Sequence, residues 1–207
     1  MKKRKFSNII FDLDGVILNS ESNMRKSWQN TSKKFNLNID FISYKKFIGL
    51  PFKIILKKLK VKNSFKKIEK FYKNESIKDF GKLRLYKNVK KELDLFHSRK
   101  INYAIVTSKD LIRSKKILHK FKLKPLSLHC PNNKLRGKPF PDHINYCIKK
   151  NKFQRSITCY VGDTYFDYIS SKKAKIPFIF ASYGFGKQKK IYRRQIKNFS
   201  LIQKFLN

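Results

Sequence analysis

Residues 9–16 read IIFDLDGV, a short apolar run that ends in two carboxylates two positions apart. The apolar part predicts a buried strand that stops at Phe11, because an unpaired charge is costly to bury. Side chains at i and i+2 of an extended segment point the same way, so Asp12 and Asp14 can serve one site. Ligands bind at the strand ends of an open parallel sheet. We therefore predict a functional site that begins directly after this strand.

Strand and helix patterns alternate over most of the chain. Apolar runs predict strands over residues 6–11, 101–106, 126–128, 157–161 and 176–181. Between residues 19 and 80 helical spacing recurs and no strand is predicted. The order predicts an α/β protein with a Rossmann-like core and a mostly parallel sheet, formed by residues 1–17 and 82–207. A helical insert, residues 18–81, interrupts this core.

Three helices are predicted at positions that matter below. Helical spacing favours one helix over 44–50 and another over 111–121. The second is expected to turn Leu111, Lys115, Leu118 and Phe121 to one side. Ser200 is a candidate cap for a last helix over residues 201–206.

Charge is the most unusual feature of the composition. The 207 residues include 51 Lys and Arg against 13 Asp and Glu, a formal charge of +38. A polyanion-binding surface is one interpretation. The other is a codon bias towards A and T, which favours lysine. Alanine occurs only at positions 104, 174 and 181, although it is normally abundant. The lysines are also spread over the whole chain, so we favour codon bias and expect only non-specific electrostatic binding of nucleic acid.

Other features of the sequence favour a protein of the cytoplasm. No apolar run approaches the roughly 20 residues that span a bilayer. The apolar segment that ends at Asp12 is too short for a signal peptide. The three cysteines, Cys130, Cys147 and Cys159, are scattered, which favours reduced and partly buried thiols. We expect a cytoplasmic protein that is a monomer or a homodimer.

Polar residues follow three of the predicted strands. They are Asp12 with Asp14, the segment 107–109 (TSK), and Asp163 with Asp167 four positions later. Parallel strands bring these ends to one edge of the sheet. Carboxylate oxygens suit Mg²⁺, a carboxylate can attack phosphorus, and a second one can protonate the leaving oxygen. The set therefore indicates phosphoryl transfer.

Four segments together resemble the motifs of the haloacid dehalogenase superfamily of phosphohydrolases. In chain order they are residues 11–16 (FDLDGV), 105–109 (IVTSK), 136–142 (RGKPFPD) and 161–167 (VGDTYFD). The helical insert resembles the small α-helical cap of that family. Residues 182–186 (SYGFG) resemble a segment of its phosphoglycolate-phosphatase-like branch. The resemblance covers nearly the whole chain.

The resemblance implies a role for each matching residue. Asp12 would be the nucleophile and a Mg²⁺ ligand, and Asp14 the general acid and base that also offers its main-chain carbonyl to the metal. Thr107 would hold the phosphoryl group, and Lys138 would balance the clustered negative charge. Asp163 would be the remaining acidic Mg²⁺ ligand.

Two further positions are implied with less direct matches. Asp167 would support the metal from outside its ligand sphere, through water or Lys138. Ser108 stands where many relatives carry Asn, and its hydroxyl could donate to the phosphate.

The substrate is predicted to be a small phosphorylated metabolite selected by the helical insert. Candidate contacts are Glu21, Phe52 and Lys53. The leading hypothesis is a phosphatase of the phosphoglycolate phosphatase type. A phosphosugar mutase resembling β-phosphoglucomutase is an alternative, weakened because Met24 stands where that family carries a histidine. A nucleic-acid-binding protein or polynucleotide phosphatase is the third possibility, and it rests on charge alone.

Overall fold

The computed structural model describes residues 5–62, 64–187 and 189–206. Six parallel strands form one sheet in the order β5–β4–β1–β6–β7–β8. They are β1 (Asn8–Phe11), β4 (Asn102–Val106), β5 (Leu128–His129), β6 (Thr158–Gly162), β7 (Phe178–Ala181) and β8 (Gln195–Ile196). Two short strands, β2 (Leu18–Asn19) and β3 (Arg84–Leu85), pair antiparallel outside it. The predicted α/β class with a mostly parallel sheet is confirmed.

Eight helices accompany the strands in the described part of the chain. They are α1 (Glu21–Lys34), α2 (Phe41–Lys45), α3 (Phe52–Lys58), α4 (Phe65–Lys78), α5 (Val89–Ser98), α6 (Leu111–Lys120), α7 (Asp142–Lys150) and α8 (Tyr165–Lys173). Short 3₁₀ helices cover Phe80–Lys82, Arg155–Ile157 and Phe199–Phe205. None of the helices within the described ranges is long and apolar enough to cross a membrane.

Strand β1 lies at the centre of the sheet, between β4 and β6. Phe11 is opposite Ile105 on one side and Val161 on the other. All four residues of β1 are buried, as expected for a parallel strand covered on both faces. Because the three strands run in the same direction and in register, the segments that follow them meet at one edge of the sheet. Asp12, Thr107 and Asp163 stand at this edge.

The helical segment (residues 21–78) has its own apolar cluster. Trp28 is fully buried, stacks on Tyr44 with ring centroids 4.4 Å apart, and donates from Nε1 to the Ile39 carbonyl over 3.0 Å. Phe166 of α8 and Phe185, which follows β7, also pack in this cluster. The strand pair β2–β3 joins the two ends of the segment. The boundaries at 18 and 81 stay a prediction.

The predicted face of α6 is only partly confirmed, since Leu118 and Phe121 pack against the core and the other two residues do not. Leu111 is 45% exposed and Lys115 is also exposed, whereas Arg113, Ser114 and Ile117 are buried. The prediction assumed that apolar residues mark the inner side of the helix. Here Arg113 and Ser114 lie inside as well, so apolar spacing alone misplaced the first part of the inner face.

Several boundaries also differ from prediction. The helix expected over 44–50 begins earlier, at Phe41, because the Asp40 side chain accepts from Ser43 N over 2.7 Å and starts it there. The last helix is a 3₁₀ helix capped by Asn198 in place of Ser200. Strands β2, β3 and β8 were not predicted. Each is only two residues long, which is too short for an alternating pattern to reveal.

The three cysteines agree with their prediction. Cys130, Cys147 and Cys159 are all buried, and all are free thiols. Burial raises the pKa of each thiol above its ordinary value.

We expect Trp28→Ala to lower the free energy of unfolding by about 3–5 kcal/mol, because it removes a fully buried ring and leaves a cavity. Urea denaturation followed by circular dichroism measures this. The control Ile42→Ala removes a 67% exposed side chain of the same helical segment and should change stability by less than about 0.5 kcal/mol. Equal effects of the two substitutions would contradict the packing described here.

Candidate active site

A buried ammonium group joins two of the acidic residues. Lys138 Nζ lies 2.8 Å from Asp12 Oδ1 and 2.7 Å from Asp167 Oδ1, and all three side chains are buried. Burial works against the Lys138 ammonium, but the two carboxylates hold its pKa above the ordinary value. The lysine thus neutralises part of the charge gathered at the ends of β1 and β6.

Asp163 is the most deeply buried acid that lacks a cation partner. Its Oδ2 accepts from Phe185 N over 2.7 Å. Its Oδ1 is buried without a hydrogen-bond partner among the described residues. Burial, together with the nearby charges of Asp167 and Asp12, raises its pKa well above 3.8. Burial likewise raises the pKa of Asp12 to about 7, although Lys138 opposes the shift.

Glycine at position 15 allows Asp163 to approach the first motif closely. A Cβ atom at this position would lie 2.1 Å from Asp163 Oδ2, and the φ angle of Gly15 is +82°. Both facts exclude a larger residue without rearrangement. The carboxylate after β6 therefore packs directly on the turn after β1.

Asp167 starts helix α8 as well as facing the site. Its Oδ2 accepts from Thr164 N over 3.0 Å and from Thr164 Oγ1 over 2.6 Å, in a capping box. Its Oδ1 contacts Lys138 and lies 3.1 Å from the Tyr160 hydroxyl. Both oxygens are therefore occupied by protein groups, and these contacts hold Lys138 in place.

Asp14 is held by two contacts of its own. Ser20 Oγ donates to its Oδ1 over 2.6 Å, and Lys109 Nζ lies 3.1 Å from its Oδ2. Burial lowers the pKa of Lys109 below its ordinary value, although the charge of Asp14 opposes the shift. These contacts fix the orientation of the Asp14 carboxylate. They are separate from the Lys138 contact that holds Asp12.

The segment after β4 supplies hydroxyl groups. Thr107 is buried, its main-chain N donates to the His129 carbonyl over 3.0 Å, and its Oγ1 accepts from Lys109 N over 3.2 Å. Its hydroxyl hydrogen remains for another acceptor. Ser108 Oγ instead donates to the Gly49 carbonyl over 2.7 Å. Ser108 thus contacts the helical segment in addition to facing the site.

A small cavity of about 50 Å³ lies between the helical segment and the sheet edge. The sheet edge and α6 contribute Asp12, Asp14, Thr107, Ser108, Lys109 and Arg113. The helical segment contributes Met24, Tyr44, Ile48, Gly49, Leu50, Phe52, Ile55 and Tyr72. Carboxylates, a hydroxyl and cations therefore face an uncharged wall.

The acidic cluster has the donor set of a magnesium site. Oxygens of Asp12, Asp163 and Asp167 lie within 4.8 Å of one another. The unpartnered Asp163 Oδ1 is available as a ligand, whereas Asp167 is bonded to Thr164 and Lys138. Mg²⁺ takes a few carboxylates and retains several waters. The geometry fits the predicted metal ligation by Asp12 and Asp163, with Asp167 behind them, and these roles stay predictions.

Two of the predicted substrate contacts lie away from this cavity. Glu21 pairs with Arg25 at 2.9 Å and Lys45 at 2.8 Å. Lys53 is exposed and lines an adjoining groove that shares Phe52, Ser108 and Arg113 with the cavity. Neither is among the residues that line the cavity, so their predicted role gains no support. Phe52 does line the cavity and stacks on Tyr72 at 4.6 Å.

The sequence reasoning assigned no individual role to the two basic residues that line the cavity. Lys109 directly follows the segment of Thr107, so its position was a usable signal. Arg113 carried no signal, because it is one of 51 basic residues and lies on the side of α6 that was predicted to face away from the core.

Comparison with known proteins agrees with this arrangement. The model of the haloacid dehalogenase-like hydrolases matches residues 9–181. The chain belongs to this family. It is therefore a hydrolase with the α/β fold of that family, and the resemblance found in the four motifs is confirmed.

Individual relatives of this hydrolase are distant in sequence. Pyrophosphatase PpaX of Oceanobacillus iheyensis is 23% identical over 174 residues, which cover 81% of this chain and 79% of that protein. A predicted phosphatase of Clostridium acetobutylicum has a TM-score of 0.84 at 23% identity, over 97% of each chain. A predicted phosphoglycolate phosphatase of Haemophilus somnus has a TM-score of 0.76 at 20% identity, over 96% of this chain and 97% of that one. The structural matches establish the shared fold.

We expect Asp163→Asn to raise the thermal midpoint in EDTA at pH 8 by at least roughly 2 °C. An acid whose pKa is raised on folding costs stability once the pH exceeds its unfolded pKa. The gain should therefore shrink as the pH falls below the raised pKa of Asp163 and vanish below about 4. Scanning calorimetry across this range measures it. Asp94→Asn, at a surface carboxylate that is 58% exposed, serves as the control. A variant less stable than the parent in EDTA at pH 8 would contradict the cost assigned to Asp163.

Proposed function

We propose that this hydrolase is a Mg²⁺-dependent phosphatase that acts on a small phosphorylated metabolite through an aspartyl-phosphate intermediate. The observation that carries this proposal is the buried cluster of Asp12, Asp163, Asp167 and Lys138, next to a small cavity lined by Asp14 and Thr107. Clustered oxygen ligands and a fixed ammonium suit a dianionic phosphoryl group.

The first half of the reaction would transfer the phosphoryl group to the protein. A carboxylate oxygen of Asp12 attacks phosphorus, and the bond between phosphorus and the leaving oxygen breaks. Asp14 gives its proton to that oxygen, so the leaving group departs as an alcohol. Lys138 stays in contact with Asp12 and partly neutralises the charge that gathers there.

The second half would return the protein to its starting state. Asp14, now a carboxylate, takes a proton from water as the water attacks phosphorus. The bond between phosphorus and Asp12 breaks, and inorganic phosphate leaves. Thr107 can donate its free hydroxyl hydrogen to a phosphoryl oxygen in both halves. A bound Mg²⁺, held by Asp12, Asp163 and the predicted Asp14 carbonyl, would neutralise the phosphoryl oxygens.

The cavity supports a small substrate over the alternatives. A cavity of about 50 Å³ beneath the helical segment suits a small ester better than a nucleic acid strand. Met24 lines this cavity, and a thioether cannot carry the proton that a mutase histidine would. The name of the related pyrophosphatase makes pyrophosphate one substrate to test.

We expect inorganic phosphate to be released from at least one compound in a screen of phosphoglycolate, sugar phosphates, nucleotides and pyrophosphate with Mg²⁺. Asp12→Asn should lower turnover by at least about a thousandfold, because it removes the nucleophile. Its circular dichroism spectrum should match that of the parent. EDTA should abolish release, and excess Mg²⁺ should restore it.

The control Asp94→Asn changes the same chemical group at an exposed position and should leave turnover unchanged. Full activity in Asp12→Asn would refute the nucleophile assignment. Release that continues in EDTA would refute the role of the metal.

Salt distinguishes the charge-driven alternative. We expect any RNA binding to fall steeply between 50 and 200 mM salt, by at least roughly tenfold, because it depends on counterion release. Turnover of a small ester should change far less over the same range. Fluorescence anisotropy and phosphate release measure the two. RNA binding that persists in high salt would favour a nucleic-acid function instead.

A further inference from the structure

Two cations lie beside the carboxylate that would protonate the leaving group. Lys109 Nζ is 3.1 Å from Asp14 Oδ2, and its side chain is 8% exposed. Arg113, four residues further along the chain, lines the same cavity and is also 8% exposed. A leaving group that receives its proton from Asp14 would therefore lie beside Lys109, with Arg113 lining the same cavity.

The opposite wall of the cavity offers no charge. All eight residues that the helical segment contributes are uncharged. Their only side-chain hydroxyls belong to Tyr44 and Tyr72, and the Tyr44 hydroxyl donates to that of Tyr72 over 3.2 Å. A polyol leaving group would find few partners there, and unpaired polar groups are costly to bury. The strong polar partners for a leaving group are thus the two cations.

Arg113 is held in a fixed orientation. Its Nε donates to Asp110 Oδ2 over 2.5 Å, and its Nη1 donates to Ser76 Oγ over 2.7 Å. The guanidinium carbon also lies 5.6 Å from the centre of the Tyr72 ring. These two bonds use two of the five N–H donors of an arginine. An immobilised guanidinium is well suited to bind a planar carboxylate or a phosphate.

We propose that Lys109 and Arg113 select substrates whose leaving group carries a second anionic group, a carboxylate or a phosphate, within a few bonds of the transferred phosphoryl group. This inference rests on the proposed phosphatase function and names its substrate class. Lys109 contacts the anion beside Asp14, and Arg113 contacts it from the same wall of the cavity.

Arg113 has a second visible contact, which the test must separate from this role. Its bond to Ser76 joins α6 to α4 of the helical segment. Ser76→Ala removes that bond and keeps the charge. A residue that only joined the two parts would be mimicked by Ser76→Ala, and its loss would affect all ligands alike.

Binding of two non-hydrolysable phosphonates tests the inference directly. 3-Phosphonopropionate and n-propylphosphonate have the same length, and only the first carries a terminal carboxylate. Calorimetry with Mg²⁺ should show the first binding at least about tenfold more tightly, since a buried charge pair is lost with the second. Arg113→Gln and Lys109→Gln should each lose most of this preference. Ser76→Ala should retain it.

Arg113→Lys is a second variant for the case in which Arg113→Gln does not fold. It keeps the positive charge and should keep part of the preference for 3-phosphonopropionate. Equal affinity of the parent for the two phosphonates would overturn the inference. So would an absence of 3-phosphonopropionate binding, or a preference that survives in both glutamine variants.

Turnover then distinguishes the two anions and separates the inference from the proposed function. A higher kcat/KM for 2-phosphoglycolate than for pyrophosphate identifies the carboxylate, and the reverse identifies the phosphate. The ester 2-hydroxyethyl phosphate has an uncharged leaving group. If it is hydrolysed as fast as 2-phosphoglycolate and pyrophosphate, the inference is overturned and the phosphatase function stands. Failure to hydrolyse any ester would overturn the phosphatase function, and the phosphonate affinities would still decide whether the cations select an anion.

Discussion

The burial of three carboxylates around one ammonium group is the constraint on which the rest of this protein depends. Asp12, Asp163 and Asp167 are buried close together, and within the described residues Lys138 forms ion pairs with Asp12 and Asp167. Ionised, the four groups carry two uncompensated negative charges, and burial raises the pKa values of Asp12 and Asp163 accordingly. Such a cluster stays together only because rigid strands hold its members in place. A divalent cation is the partner that would restore neutrality.

The parallel sheet is what makes this cluster possible. Neighbouring strands β1 and β6 bring Asp12 and Asp163 to the same edge, and Gly15 lets the second carboxylate pack on the turn of the first. The capping box of α8 then fixes Asp167, which in turn holds Lys138. The charged residues of the site thus come from the sheet edge and the helices next to it, whereas the helical segment contributes the uncharged wall of the cavity. Two of the 51 basic residues line the cavity, which agrees with a charge that belongs mainly to the surface.

Much of the fold could be predicted because its signals are local. Continuous apolar runs marked the central strands, and polar residues directly after them marked the edge where the site lies. The errors arose where a distant contact decides the outcome. The face of α6 was misassigned because Arg113 is buried against Ser76, a residue 37 positions away. Glu21 pairs with Arg25 and Lys45, and its expected contact with the substrate stays a prediction.

The sequence by itself determined the fold class, the family and the order of the residues that would perform the chemistry, because each motif is a short segment attached to one strand. Only the tertiary structure decided which charges meet. It placed Lys138 between Asp12 and Asp167, directed Ser108 to the Gly49 carbonyl, and brought Arg113 to the cavity. The physical reason is that ion pairs and cavity walls depend on distances between side chains far apart in the chain, which no local pattern encodes.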